Sequence, residues 1–453
     1  MPPSRDSELR AIIRLMIPLA LADAGYQLLA FVDAAMVGHY GTAALGGVGI
    51  GNGIFFSIMC LGMGCVMGMD TLVAQALGAG EEAHAREILA AGVRLAIWLS
   101  VPCAALAYGV VCLLPAFGVQ PAIAEAAHQF VLGRLINATP FMAFIAMRSY
   151  LQAKGQTRPI VVGMIAVVSV NLVANALLVF GDEGLVWVGL PGIGLPALGP
   201  LGSGLGTSIA SFASIVVLAV AIKRGAPPAS TRAAGTQREI ARRIVRLGLP
   251  IGFQYIGEMG IYTLLGILAG RMSEAAAAAN QIGMMLATAI AGISIGLSTA
   301  ITVRVGLHVG AGDTPRARSA GFLGMRVGIV VLLSIAIVFL LVPGPIARAF
   351  TSDPAVHAIA MPLIVTVGFC QLADGVQIAG TGALRGIGDT RSPLMIVLVG
   401  HYLVGLPVAV YLGFELDLAT SGLWWGVTGG LAVAALALAL RFSRLTSRRI
   451  QRA

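Results

Sequence analysis

Charged side chains are scarce in this chain, and their scarcity excludes a water-soluble fold. Only 11% of the 453 residues are charged, 58% are hydrophobic, and the mean hydropathy is +0.91. Soluble domains carry about 25% charged residues, so this chain has too little polar material to cover its surface. Lipid must solvate most of that surface, and only helices or closed barrels span lipid. The apolar runs are about twenty residues long and do not alternate, which predicts membrane-spanning helices.

Cysteine pairs, metal-ligand spacings and nucleotide loops are also missing. The five cysteines lie within apolar runs without a Cys-x-x-Cys pair, and the six histidines show no ligand spacing. We therefore expect neither disulfides nor a metal site built from these residues. No Gly-x-x-x-x-Gly-Lys-Ser/Thr loop occurs, so the chain lacks the machinery for ATP-driven transport. No nucleophile–base arrangement is recognisable either, and we predict that the chain is not an enzyme.

Twelve apolar segments are long enough to span a bilayer. They cover about 11–37, 45–75, 88–115, 126–151, 159–180, 200–222, 243–270, 277–303, 319–342, 355–383, 393–412 and 422–441. If both termini are cytoplasmic, all of the 29 basic residues except Arg134, Arg271 and Arg348 fall on the inner side. This asymmetry follows the positive-inside rule, so the net charge of +9 reflects topology rather than nucleic-acid binding. We predict a multi-pass protein of a bacterial inner membrane with both termini cytoplasmic.

The two halves of the chain resemble each other. Arg14-Leu-Met-Ile-Pro18 matches Arg246-Leu-Gly-Leu-Pro250, and Gly78-Ala-Gly80 matches Gly310-Ala-Gly312, both at an offset of 232 residues. Several matches in register at one offset are poorly explained by chance. Between the halves lies a basic segment containing glycine and proline, which is typical of a flexible linker.

This internal repeat predicts the organisation of the whole chain. We predict an all-α integral membrane protein with an N-terminal six-helix lobe (1–222), a cytoplasmic linker (223–242) and a C-terminal six-helix lobe (243–453). Because each lobe has six spans, both insert in the same direction. The two six-helix bundles are then related by a pseudo-two-fold axis along the membrane normal, with a substrate path between them.

Five carboxylates fall within predicted spans, namely Asp23, Asp33, Asp70, Glu258 and Asp374. A charge at the bilayer centre costs about 2.5–3.5 kcal/mol on insertion scales, so such residues are functional by default. We interpret Asp70, near the inner end of its span, as a loop anchor. Asp23 has no partner that the sequence identifies.

In the first half, polar residues of three spans fall at a similar depth, in the outer half of the bilayer. They are Asp33, Asn171, Asn175 and Thr207. Asn171 and Asn175 are four residues apart and therefore share one helix face. Carboxylate, amide and hydroxyl oxygens suit a hard cation such as sodium, and Asp33 alone could instead hold a proton. Helix packing through amide hydrogen bonds is the structural alternative for the asparagines.

In the second half, Glu258 and Asp374 lie near mid-depth of the seventh and tenth spans. They could form a proton or cation site, or attract a cationic substrate. A buried pair with other, purely structural partners is the alternative.

Five stretches of the chain are similar to a known family. They are Ile17–Gly38, Met69–Gly80, Tyr150–Pro159, Gly248–Glu258 and Gly382–Arg391. Together they resemble the multidrug and toxic compound extrusion (MATE) family, and within it the NorM-like bacterial branch, over nearly the whole chain. The resemblance implies two six-helix lobes, a central cavity, and efflux of hydrophobic organic cations in exchange for sodium ions or protons.

The resemblance also implies roles for particular residues. Asp33 corresponds to the family's first-helix aspartate, and Asn171 and Asn175 look like its fifth-helix polar pair, although some members carry aspartate at the position of Asn175. Glu258 and Asp374 correspond to the acids of the NorM-like seventh and tenth helices. We expect the substrate cavity to include Tyr26, Gln254, Tyr255 and Gln281.

Other functions fit the pattern less well. A lipid-linked saccharide flippase of the same superfamily would need basic residues for pyrophosphate, whereas the mid-span ionisable groups assigned above are acidic. A scaffold would leave those acids unexplained. We therefore predict a monomeric secondary active efflux transporter in the lipid bilayer, whose partners are hydrophobic cationic small molecules. It needs no cofactor besides its coupling ion, sodium or proton.

Overall fold

The computed structural model describes residues 5–187, 189, 191–225 and 236–452, and every element within them is helical. Residues 226–235 of the predicted linker lie outside the described residues. The helices are α1 Arg5–Tyr40, α2 Thr42–Gly78, α3 Glu82–Cys112, α4 Pro121–Arg134, α5 Ala138–Ala153, α6 Arg158–Phe180, α7 Asp182–Trp187, α8 Gly199–Arg224, α9 Thr236–Met272, α10 Glu274–Gly310, α11 Thr314–Leu341, α12 Pro343–Phe350, α13 Pro354–Gly386, α14 Arg391–Leu398, α15 Leu406–Val410 and α16 Ala419–Leu445.

Across the described residues, twelve helical segments are long and apolar enough to cross a membrane. Two of them are composite. A 3₁₀ turn at Leu135–Asn137 joins α4 to α5, and π-helical stretches at Val399–Gly405 and Tyr411–Glu415 flank α15. The predicted all-α membrane fold with twelve spans is confirmed, and the helical segments are longer than the apolar runs identified in the sequence.

Local sequence signals explain where several helices begin and end. Asp313 caps α11 by accepting a hydrogen bond from the backbone N–H of Arg316 over 3.0 Å, with proline in the first turn. The loops after α2 and α10, which the internal repeat relates, both turn through a glycine with positive φ, Gly80 at 77° and Gly312 at 74°. Residues other than glycine rarely adopt this backbone conformation, so both equivalent positions of the repeat require glycine.

The described chain divides into two compact units. The first comprises Met1–Ala20, Asp70–Glu82 and Phe253–Ala453, and the second comprises Leu21–Met69 and Ala83–Gly252. The boundaries between these units fall inside α1, α2 and α9 and after the first residue of α3. In the first unit, Ile12 and Met16 of α1 belong to a buried apolar cluster with residues of α10, α11, α13 and α16. The beginning of α1 is thus part of the core of the first unit.

Candidate functional site

Asp33 lies at the centre of a polar cluster in the second unit. Its side chain is buried, with 3% of its surface exposed. The Nδ2 groups of Asn171 and Asn175 donate to Asp33 Oδ1 over 3.0 and 2.6 Å. Thr207 Oγ1 donates to Asp33 Oδ2 over 2.9 Å. The four residues that the sequence placed at one depth are therefore in direct contact.

Helix geometry explains how these groups converge. Asn171 and Asn175 are one turn apart on α6 and are joined by a hydrogen bond of 3.3 Å between Asn175 Nδ2 and Asn171 Oδ1. Helix α8 approaches α6 closely because two of its glycines face α6. A Cβ atom at Gly206 would overlap Asn175 Oδ1, and one at Gly202 would overlap the Leu178 carbonyl. Small residues at such crossings let membrane helices pack closely.

The cluster has spare acceptor capacity. Asn175 Oδ1 is buried and has no hydrogen-bond partner among the described residues. A carboxylate, two side-chain amides and a hydroxyl are ligand types that hard cations accept. All three donors to Asp33 are electrically neutral, so its charge is solvated by dipoles rather than by a direct salt bridge.

Arg134 lies beside this cluster, although the sequence assigned it to the outer side. It ends α4 in the middle of the composite span Pro121–Ala153. Its Nη1 donates to Asn52 Oδ1, and its guanidinium carbon lies 5.0 Å from the ring centroid of Phe55. Arg134 interacts electrostatically with Asp33. The sequence could have indicated a functional role for Arg134, because an arginine within an apolar run is expected to be functional by default.

Asp23 forms a salt bridge that explains its presence in the membrane. Arg148 donates from Nη1 to Asp23 Oδ1 over 2.6 Å and from Nη2 to Oδ2 over 2.9 Å. This bidentate geometry holds both side chains and neutralises the two charges locally. The sequence left Asp23 without a partner because 125 residues separate it from Arg148.

Glu258 lies in a separate polar network in the first unit. Gln254 Nε2 and Gln377 Nε2 both donate to Glu258 Oε1, over 3.0 and 3.1 Å. Arg385 Nη2 donates to Gln254 Oε1 over 3.1 Å. The amide of Gln254 therefore links the buried guanidinium to the Glu258 carboxylate, whose Oε2 atom takes part in none of these bonds.

Asp374 interacts electrostatically with Glu258. No hydrogen bond joins these two carboxylates within the described part of the chain. Both also interact electrostatically with Tyr262, whose ring centroid lies 6.0 Å from that of Trp424. The two acids are half-buried, and their mutual repulsion favours binding of a proton or cation by one of them.

The residues predicted to line a substrate cavity have different surroundings. Gln254 is buried in the Glu258 network, and Tyr255 lies under the Arg385 guanidinium, with 5.4 Å between that group and the ring centroid. Gln281 is exposed on α10. Tyr26, in the other unit, packs edge-on against Phe144 with ring centroids 5.8 Å apart. Their role in substrate binding stays a prediction.

Comparison with known proteins identifies the family. The sequence model of the MatE family matches residues 18–177 and 250–411. These matches begin at Pro18 and Pro250, the two prolines that the internal repeat relates.

Individual relatives match over nearly their whole length. The chain is 32% identical to a probable multidrug resistance protein NorM of Pseudomonas syringae pv. tomato, over 100% of this chain and 98% of that protein. It is 33% identical to the protein of the same name from Pseudomonas aeruginosa, over 98% and 91%. The Deinococcus radiodurans protein of that name is 31% identical, over 97% and 96%.

Solved structures show the same fold. A crystal structure of a mutant Vibrio cholerae MATE transporter superposes with a TM-score of 0.88 at 18% identity and covers 98% of both chains. A eukaryotic MATE transporter superposes with a TM-score of 0.84 at 20% identity and covers 96% of both. The resemblance to the NorM-like branch is thus confirmed, and this chain belongs to the MatE family, a family of membrane transporters.

Proposed function

We propose that this chain is a secondary active multidrug efflux transporter of a bacterial plasma membrane. It exports hydrophobic organic cations in exchange for sodium ions or protons by alternating access. The names of its relatives support the substrate class, since they are probable multidrug resistance proteins. The observation that carries the exchange mechanism is Asp33, a buried carboxylate in a membrane span whose three hydrogen-bond donors are all neutral.

A carboxylate in this setting favours cation binding. Removal from water destabilises the ionised form, and neutral dipoles compensate for only part of that loss. A proton or a sodium ion bound to Asp33 relieves this desolvation cost. The affinity for that cation then depends on how much water reaches the site, which differs between inward-open and outward-open states. Such a difference in affinity is what allows a bound ion to shift a conformational equilibrium.

The hydrogen-bond pattern around Thr207 suits a proton. Thr207 Oγ1 lies 2.9 Å from Asp33 Oδ2 and 3.1 Å from the Ser203 carbonyl, but the hydroxyl has one hydrogen to donate. With Asp33 ionised, this hydrogen bonds the carboxylate. With Asp33 protonated at Oδ2, the hydroxyl can turn toward Ser203 and accept from the acid. No heavy atom needs to move.

A sodium ion would use the oxygens of the same residues. The free Asn175 Oδ1 supplies one ligand, and rotation of the Asn171 amide would supply another. A proton therefore requires the Thr207 hydroxyl to reorient, whereas a sodium ion requires oxygens of the asparagines as ligands. Separate gradients of the two ions distinguish them.

The central experiment measures ethidium efflux from proteoliposomes under an imposed proton gradient and, separately, a sodium gradient. We expect Asp33→Asn to reduce gradient-driven efflux by more than about tenfold, because a neutral amide has no differential cation affinity to exploit. Asp353→Asn is the matched control, since Asp353 is an exposed cap of α13 whose function asparagine preserves. Wild-type efflux by the Asp33→Asn protein would refute the proposal.

Thr207 variants separate the two ions further. Thr207→Val removes the hydroxyl with little change of shape, whereas Thr207→Ser keeps it. If the coupling ion is a proton, the valine variant loses proton-driven efflux and the serine variant retains it. Equal activity of both variants under a proton gradient, together with loss of sodium-driven efflux in the valine variant alone, would assign the exchange to sodium.

A further inference from the structure

Arg134 occupies a position where a charge is costly. It follows Pro121 by more than three helical turns, and α5 continues the span to Ala153. At 1.5 Å per residue it lies about 20 Å along the helix from the start of this apolar span. A charged side chain in the interior of a membrane span is costly, so a compensating role is expected.

Local contacts hold the Arg134 side chain but do not neutralise it. Nη1 donates to the neutral side chain of Asn52. The guanidinium carbon lies 5.0 Å from the centroid of Phe55 and 5.4 Å from that of Phe130. Nε is buried and lacks a hydrogen-bond acceptor among the described residues. Aromatic faces stabilise a cation only modestly, and no carboxylate of the described chain forms a direct salt bridge with Arg134.

The backbone beside Arg134 is fixed to the Asp33 cluster. Ser208 Oγ donates to the Gly133 carbonyl over 2.8 Å, and the adjacent Thr207 donates to Asp33. A Cβ atom at Gly204 would come within 3.0 Å of the Arg134 backbone nitrogen. This glycine crossing joins the end of α4 directly to α8. The backbone of Arg134 therefore cannot move away from the cluster without separating the two helices, and the hydrogen bond to Asn52 holds its side chain.

We propose that Arg134 is the built-in counter-charge of the Asp33 site, a fixed cation that weakens binding of the coupling ion and so promotes its release. This inference rests on the proposed function of that site. The groups facing Asp33 are the amides of Asn171 and Asn175 from α6 and the hydroxyl of Thr207 from α8. Arg134 from α4 supplies the only positive charge found to interact with Asp33 within the described residues.

The sign of the effect follows from Coulomb's law. The guanidinium stays protonated at every physiological pH, so its field always favours the ionised carboxylate. A cation that binds Asp33 loses part of that attraction and is repelled by Arg134. Without the fixed charge, the cation binds more tightly and leaves more slowly. An exchanger must release its coupling cation as well as bind it. Without the Arg134 charge, the transport rate should therefore fall even though the affinity for the cation rises.

The test compares Arg134→Gln with Arg134→Lys in ethidium efflux measured against pH and against sodium concentration. For the glutamine variant, we expect half-maximal activation at about tenfold lower concentration of the coupling cation, with a lower maximal rate. The lysine variant keeps the charge and should stay close to the wild-type midpoint. An unchanged midpoint in Arg134→Gln, or the same shift in both variants, would overturn the inference.

A measurement of cation binding tests the role of Arg134 without relying on transport. The melting temperature of purified protein is followed in detergent as proton or sodium concentration rises, because a ligand of the folded state stabilises it. Arg134→Gln should reach half of its cation-dependent stabilisation at about tenfold lower concentration than wild type. In the Asp33→Asn background the Arg134 change should have no effect on that midpoint, and a persisting shift would contradict the inference. If wild-type cation binding is measurable but efflux shows no ion dependence, the proposed function fails while the electrostatic role of Arg134 is still tested.

Discussion

Two aspartates on α1 show how the same side chain serves different purposes. Asp23 is neutralised by a bidentate salt bridge with Arg148, whereas Asp33 meets only neutral donors at hydrogen-bond distance. A bidentate guanidinium satisfies a carboxylate fully and leaves little reason for it to bind another cation. We therefore interpret Asp23 as structural and Asp33 as the exchange site.

The Asp23–Arg148 pair makes a prediction about stability. Both side chains are largely buried, so removing one partner leaves an uncompensated charge that destabilises by about 3–5 kcal/mol. We expect Arg148→Met and Asp23→Leu each to lower the melting temperature of the purified protein. The double variant should lose less than the sum of the single losses, because neither charge remains. Strictly additive losses would show that the pair is not energetically coupled.

At the scale of helices, glycine determines how closely α2 and α9 approach within the second unit. A Cβ atom at Gly64 would overlap the backbone of Gly252, and one at Gly248 would overlap the Cys65 carbonyl. Backbone atoms cannot rotate away as side chains do. The contacts of Gly64 with Gly252 and of Gly248 with Cys65 therefore bring the two backbones together, and larger residues would force them apart.

Gly248→Ala should disturb this contact. The added methyl group must displace the α2 backbone at Cys65, and overpacking of this kind costs about 1–3 kcal/mol. Gly109→Ala is the matched control on α3, since no neighbouring group of the described chain lies within 4 Å of the place its methyl group would take, and alanine is the better helix former. We expect a lower melting temperature for the first variant only. Equal melting temperatures would argue against a tight crossing.

The loop before α8 depends on one carboxylate outside the spans. Asp182 accepts backbone hydrogen bonds from Leu195, Ile193 and Gly194, each over 3.0 Å. These bonds lower the pKa of Asp182 below its ordinary value of 3.8. The ionised side chain therefore stabilises the loop above that ordinary value, and the contribution is lost as the pH falls through the lower pKa of the folded protein.

Asp182→Asn should loosen this loop at neutral pH. The asparagine amide replaces an acceptor by a donor, so it cannot accept all three backbone hydrogen bonds. Hydrogen–deuterium exchange should become faster at residues 193–195, while α6 and α8 keep their protection. The same exchange rate in the variant and wild type at pH 7 would mean that the carboxylate does not hold the loop.

At the scale of the whole molecule, membrane topology follows from the distribution of arginine and lysine. The prediction of cytoplasmic termini can be tested with an epitope tag appended after Ala453 and, in a second protein, a tag inserted next to Gly189 between α7 and α8. We expect antibody to reach the second tag in intact cells and the first only after permeabilisation, because basic segments stay inside. Accessibility of the terminal tag in intact cells would reverse the orientation.

Composition alone was sufficient to predict the membrane fold. Twelve uninterrupted apolar runs leave helices as the only solution in lipid, where every backbone polar group needs an internal partner. That Asp33, Asn171, Asn175 and Thr207 lie at the same level of neighbouring helices was equally predictable. That is why Asp33, Asn171, Asn175 and Thr207 could be grouped correctly from three distant segments. The broken span α4–α5 could not be predicted, because polar residues such as Arg134 and Asn137 do not by themselves indicate a 3₁₀ turn.

The sequence by itself determined the class of the protein and the number of its spans, since these depend on local composition and helix length. Only the tertiary structure decided which charges meet. The partner of Asp23, the link from Arg385 through Gln254 to Glu258, and the position of Arg134 beside Asp33 all depend on how helices rotate and cross. Those rotations depend on how small residues pack between helices, which the hydropathy of the sequence does not predict.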